Sequence, residues 1–202
     1  MVPEKNFMAG IDWFCCRVFS LCSSTTHISF MIEQTPWFER KFEFNFPVGL
    51  FPVIVERLRG TISRVEKIVD SLSEEVLCKK INDTWSLKEH IGHLYDLEEL
   101  WYGRIEDFLS GAEVLRAADL SNTKTNQANH NSKSIQELLI EFNNSRTKLI
   151  NKVEHIDERT AVHSALHPRL QKPMRLVDSL FFVAEHDDHH LAKMRGILSG
   201  KI

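Results

Sequence analysis

His186 and His190 stand four residues apart in the run His186-Asp187-Asp188-His189-His190. On a helix that spacing is close to one turn, so both imidazoles project from nearly the same face. This is how a helix offers two nitrogens to one metal ion, as in H-x-x-x-H zinc motifs. His189 falls within the same arc. The motif has little specificity by itself; it gains weight because it interrupts an apolar stripe between Val183 and Leu191. A third ligand must come from another segment, and His90 and His93, set among Ile91 and Leu94, are the candidates; helical spacing does not choose between them. Three neutral imidazoles leave positions open for water or substrate, the arrangement of a catalytic site rather than a closed structural one. Zinc is the default ion, with nickel, iron and manganese compatible with the same ligands. The competing explanation is a set of half-buried, hydrogen-bonded and inert histidines. It suits any one of them better than three on two apolar stripes.

The elements that would position these residues are helical. Ser86-Leu87-Lys88-Glu89 is a capping box. Ile91, Leu94, Leu97, Trp101, Ile105 and Phe108 continue the stripe it opens, with Gly111 at the C-cap position. Before it, Leu50, Ile54, Leu58, Ile62, Val65, Ile68 and Val69 predict a helix over Val48 to Leu72. A second capping box, Ser134 to Glu137, opens a third helix reaching about His155. Pro173 is placed for the first turn of a fourth, which carries Leu176, Leu180, Val183, Leu191, Met194 and Ile197 to Gly200. Asn122 to Lys133 reads as a polar surface loop of the kind that borders function. Asp157 to Lys172, with His163, His167 and Pro168, reads as irregular. The Phe42–Phe46 alternation is the one short strand candidate. The expected fold class is all-α, an antiparallel four-helix bundle with one crossover connection.

With 202 residues and 43% apolar residues, the chain can bury a core without staples. A net charge of −3 offers no basic footprint, so no nucleic-acid partner is expected. Cys15, Cys16 and Cys22 crowd near the start and Cys78 stands alone, with no C-x-x-C pair; this suits a reducing, cytoplasmic setting. Ile11 to Cys22 is interrupted by Arg17, has no cleavage site after it and is too short for a bilayer, so no membrane association is expected. Residues 1–32 are read as a poorly structured or non-native N-terminal extension and 33–202 as the domain. Trp37 and Phe38, taken as exposed aromatics, leave room for a homodimer.

Three stretches carry a family resemblance. Trp85-Ser86-Leu87-Lys88-Glu89-His90-Ile91-Gly92-His93-Leu94-Tyr95-Asp96 resembles the helix-2 signature of the DinB/YfiT-like superfamily. His167-Pro168-Arg169 with Lys172-Pro173-Met174 resembles its loop before helix 4, and Ala184 to Ala192 its final H-x-x-x-H helix. The similarity spans roughly Trp37 to Ile202 in the right order. It implies a four-helix bundle holding one metal ion on His93, His186 and His190, and so selects His93 over His90. His90, His189 and Asp96 become candidates to orient ligands or move protons in catalysis. The family's chemistry is less uniform than its fold: it includes thiol S-transferases acting with low-molecular-weight thiols such as bacillithiol, a mycothiol-dependent isomerase, and many members named metal-dependent hydrolases by analogy.

The leading expectation is therefore a metal-dependent transferase acting on a small-molecule substrate, in which the ion activates an external low-molecular-weight thiol. Cys78, with no histidine beside it in the chain, is not an obvious nucleophile. The alternatives are a hydrolase in which Asp96 or His90 takes a proton from water, and a non-catalytic metal-binding bundle. Because imidazoles must be neutral to coordinate, metal affinity is expected to fall below their reference pKa near ~6.5, which thermal unfolding with and without metal across pH would measure.

Overall fold

Four helical segments carry the apolar stripes, and each is shaped by residues that interrupt it. In the computed structural model, which describes residues 32–82 and 84–200, the first segment is not one helix. It is α1 (Phe51–Arg59) and α2 (Thr61–Val69), separated at Gly60, whose ψ of −6° departs from helical geometry. A glycine inside a helix weakens it, and here it bends the segment. Asp70 turns extended, and Ser71 enters the left-handed region at φ 61°, so the helix stops short of Leu72. Ser73 then caps the short α3 (Glu74–Cys78).

The second segment is α4 (Leu87–Asp96) and α5 (Glu98–Leu109), with a slight break at Leu97. Both halves of the Ser86/Glu89 capping box form. Gly111, at φ 74°, ends the segment in a Schellman arrangement: Gly111 N–H donates to Phe108 O (3.2 Å) and Ala112 N–H to Asp107 O (2.9 Å). The expected surface loop contains α6 (Thr123–Gln127) and a 3-10 turn, His130–Ser132. Next, α7 (Ile135–Val153) starts at Ser134, whose hydroxyl accepts from Glu137 N–H.

Asp157 to Lys172 is less irregular than its composition indicates. It holds α8 (Glu158–Ala161) and β1 (Ser164–His167), which pairs antiparallel with β2 (Lys172–Arg175). Pro173 lies in β2, and α9 (Leu176–Leu198) begins only after Arg175, whose backbone N–H is taken by Asp178. The Phe42–Phe46 segment forms no strand. The Lys172 ammonium takes the Phe42 carbonyl, and the Arg175 guanidinium takes those of Phe44 and Phe46. Side chains thus satisfy the acceptors a sheet would have used.

The segments form a four-helix bundle in which α7 packs on α1, α4 and α5, and α9 on α1, α2 and α4. Two apolar clusters divide its core. Leu58, Trp101, Leu149 and Val183 belong to one, while Ile62, Leu94, Phe142 and Leu191 belong to the other. The first and fourth segments pass from the first cluster to the second along the chain, and the middle two pass the other way. The middle two therefore run parallel, and residues 110–134 must carry the chain back along the bundle, which is the expected crossover.

Between the clusters lies a polar layer. Arg146 on α7, 2% exposed at its side chain, donates to Glu98 on α5 (2.6 and 3.0 Å), to Asp187 on α9 (2.6 and 3.2 Å) and to the Leu58 carbonyl on α1 (3.1 Å). Thr61 on α2 donates to Asp187 (2.8 Å).

Two units divide the chain, Met1–Thr35 and Pro36–Ile202. The expected extension over residues 1–32 lies outside the described residues except for Ile32. Among the described residues no helix is long and apolar enough to cross a membrane.

Arg146→Ala would leave two buried carboxyls without their counter-charge. The expected loss is about 3–5 kcal/mol of stability, measured by urea unfolding. A loss below ~1 kcal/mol would mean that the layer does not tie the helices together.

Candidate metal centre

Helices α4 and α9 pack side by side, and that contact gathers the histidines. His93, His186 and His190 are all buried, and one ring nitrogen of each lies within 4.8 Å of the others. The sequence placed His186 and His190 on one face, and their Nε2 atoms are 3.2 Å apart. Two nitrogens bound to one tetrahedral ion at ordinary zinc distances are ~3.3 Å apart. The donor set and spacing therefore fit a divalent ion.

Hydrogen bonds around the cluster decide which nitrogen His93 and His190 present. Asp96 accepts from Thr125 Oγ1 (2.9 Å) and from His130 Nε2 (2.8 Å). With its one proton committed to Asp96, Thr125 must accept from His93 Nδ1 (3.1 Å). His93 is thus fixed with its Nε2 lone pair free for a metal, the arrangement by which an outer carboxylate orients a ligand. Similarly, His190 Nδ1 contacts His90 Nδ1 at 2.9 Å, leaving His190 Nε2 for the site. His186 Nδ1 is buried without a hydrogen-bond partner. The bond to His130 also requires Gly92: a Cβ there would lie 2.2 Å from the His130 ring.

Of the three supporting residues expected, His90 and Asp96 stand behind the ligands, and neither lines the main cavity. Asp96 borders a neighbouring cleft with Thr125 and Lys124. His189 is in the main cavity's wall, beside Trp37 (5.6 Å between ring centroids). Trp37 itself is half-buried against His186, Phe42 and Phe182, so it serves the site instead of standing exposed; Phe38 is exposed. Sequence reasoning missed Thr125 and His130, which sit in a stretch read as surface loop. The length of that loop was their one signal.

The cavity beside the histidines measures about 320 Å³ and is walled by Trp37, Trp85, Trp101 and Phe182. Trp85 lies on His93, 4.6 Å between centroids. Arg104, His167 and Arg169 also line it. Cys78 does not line it; its thiol faces Glu74 and the Asn131 carbonyl.

Burial keeps the imidazoles neutral. It pushes His93 down to about 4 and His90 to about 3, and pushes His186 and His190 well below the usual value. Neighbouring histidine charges add to the effect for His90, His186 and His190. For Asp96, burial acts upward but the bonds from His130 and Thr125 outweigh it, leaving the carboxyl below its ordinary value. The proton competition expected near ~6.5 therefore moves to lower pH, because burial keeps the His93 imidazole neutral down to about 4.

A sequence model of the DinB superfamily matches residues 57–194. No curated protein matches the chain. Among solved structures, the fold is similar to that of YfiT from Bacillus subtilis, "a probable metal-dependent hydrolase with an unusual four-helix bundle topology": TM-score 0.69, 14% identity, covering 79% of this chain and 91% of that one. It is also similar to a mycothiol-dependent maleylpyruvate isomerase: TM-score 0.58, 11% identity, covering 73% of this chain and 60% of that one.

Thr125→Val breaks the link from Asp96 to His93 and should weaken metal binding by about 10–100-fold, measured by chelator competition. Unchanged affinity would mean that His93 needs no such support. The histidines also set an acid limit. Their folded pKa values lie below the unfolded ~6.5, so the unfolded state binds more protons between the two. Stability of chelator-stripped protein should be complete above pH ~6.5 and be lost progressively as pH falls toward about 4. Denaturant midpoints independent of pH across that window would contradict this.

Proposed function

The chain belongs to the DinB superfamily, and from that premise we propose a metal-dependent small-molecule enzyme whose nucleophile is an external low-molecular-weight thiol. One observation carries this reading. Three imidazoles converge beside a cavity of about 320 Å³ that, among the described residues, no serine, threonine, cysteine, lysine or tyrosine lines. The carboxylate on that lining, Asp119, is engaged by the N–H groups of Ser121 and Thr123, so a site able to hold a Lewis acid would take its nucleophile from solution. The likeness to a mycothiol-dependent isomerase supports a thiol in that role.

In this proposal His93, His186 and His190 hold one divalent ion, zinc being the first choice for three imidazoles. When bound, such an ion lowers the pKa of a thiol or water beside it and polarises an electrophile. Thr125, Asp96 and His130 fix the His93 ring, and His90 fixes His190. His189 is the supporting histidine in the cavity wall, and burial first, then the charges of Lys193 and Arg40, push it down to about 4. It is therefore neutral at pH 7 and able to accept a hydrogen bond from the incoming thiol; a proton acceptor held this low would serve only a thiol already acidified by the ion. The tryptophans and Phe182 keep bulk water from the reacting atoms.

Hydrolysis is the second reading, favoured by the likeness to YfiT over most of both chains. The same groups would serve, with water in place of the thiol.

Metal analysis comes first. Near-stoichiometric metal is expected in the parent and its loss in His93→Ala and in His186→Ala/His190→Ala. Metal retained without His93 would discard the ligand set. With the loaded protein, chlorodinitrobenzene and cysteine report thiol transfer, while p-nitrophenyl acetate without thiol reports hydrolysis. Turnover that requires cysteine supports the first reading; turnover of the ester alone replaces it with the second.

A further inference from the structure

The part of the cavity wall formed by Arg104, His167 and Arg169 carries positive charge. Arg104 is 2% exposed and Arg169 half-buried. Buried cations are ordinarily ion-paired, yet neither guanidinium forms a salt bridge among the described residues. The Arg104 guanidinium meets the Arg116 carbonyl (3.1 Å) and His167 Nε2 (3.1 Å), both uncharged partners. The nearby Asp107 is taken by Arg116 through two guanidinium nitrogens and the backbone N–H. Arg169 lies over the rings of Phe38 (5.3 Å) and Phe182 (5.7 Å), and its buried Nη2 has no acceptor. Trp101 Nε1, on the same cavity, is a second buried donor without an acceptor. The one acidic residue on the lining among the described residues, Asp119, accepts from the N–H groups of Ser121 (2.9 Å) and Thr123 (2.7 Å).

Two guanidinium groups held near one another in low-dielectric surroundings repel, and unused buried donors cost free energy. A ligand with a compact anion relieves both costs. The planar fork of a guanidinium matches a carboxylate, and the surrounding aromatic rings suit an apolar body. We propose that this wall is a carboxylate subsite: Arg169 and Arg104, with Trp101 Nε1, bind the carboxylate of a small, largely apolar substrate. The assignment deepens the proposed function and rests on it for one point, that the rest of the substrate then faces the histidines. The subsite itself needs no metal, because its donors belong to the protein.

Benzoate and its uncharged isostere benzamide are the probes, titrated calorimetrically into metal-loaded and chelator-stripped protein. Both forms should bind benzoate, and benzamide should bind about tenfold more weakly or worse, the effect of losing a charge-assisted contact. Arg169→Gln, at a partly exposed turn, should weaken benzoate by about tenfold while leaving benzamide affinity and metal content unchanged. Arg104→Lys keeps the buried charge and loses the fork, and should also weaken benzoate selectively. Equal binding of the two probes, no benzoate binding, or indifference to Arg169→Gln would overturn the assignment. So would benzoate binding seen only in the metal-loaded protein, which would place the anion on the ion. If the parent holds no metal but benzoate binding still depends on Arg169, the metal reading fails and the subsite stands.

Discussion

The buried layer of Arg146, Glu98, Asp187 and Thr61 is the constraint around which the bundle is arranged. Apolar clusters on either side of it would tolerate helices sliding by a turn, since hydrophobic contact has little direction. A guanidinium that must reach carboxyls on two helices and a carbonyl on a third does not. Burial acts to lower the Arg146 pKa, but the Asp187 and Glu98 charges outweigh it and hold it above the ordinary value. Burial raises Glu98. Asp187 follows His186 directly in α9, so the register fixed by the layer is also the register of the His186–His190 pair.

Around the histidines the same logic continues outward in shells. His93 and His190 are hydrogen-bonded through Nδ1, which leaves Nε2 of each for the cluster, and the partner of His93 is itself held. Asp96 holds Thr125, and His130 closes against Gly92. The crossover connection supplies both Thr125 and His130. Its length therefore has a use beyond topology: residues that must return along the bundle can pack against α4 on the way. Lys88, almost fully buried, anchors that stretch through the Lys133 carbonyl and also pairs with Glu74 on α3.

The β1–β2 hairpin does comparable work on the other side of the cavity. Its turn displays Arg169 and β1 ends at His167, so this short two-stranded element adds to the wall that Arg104 of α5 begins, and backbone bonds between Leu166 and both Glu113 and Leu115 tie it to the start of the crossover connection. Histidines on helices and arginines from a helix and a turn then enclose one space of a size suited to a small molecule.

Local spacing in the sequence is enough for the four helical segments, though not their ends, and for the His186–His190 pair on one face. Periodicity of apolar residues identifies a helix face, the Ser86/Glu89 box marks its start, and a four-residue step aligns His186 with His190. Family likeness added His93, which spacing could not separate from His90. Tertiary structure decided everything that required groups distant in sequence to meet. It placed Thr125 and His130 behind the site, although their polar surroundings read as surface. It turned Phe42–Phe46 away from strand pairing by giving its carbonyls to Lys172 and Arg175. It lowered the histidine pKa values through burial that no local pattern encodes. It also left Arg104 and Arg169 without acids. Charge compensation depends on which side chains surround a group in space, and a linear sequence does not contain that list.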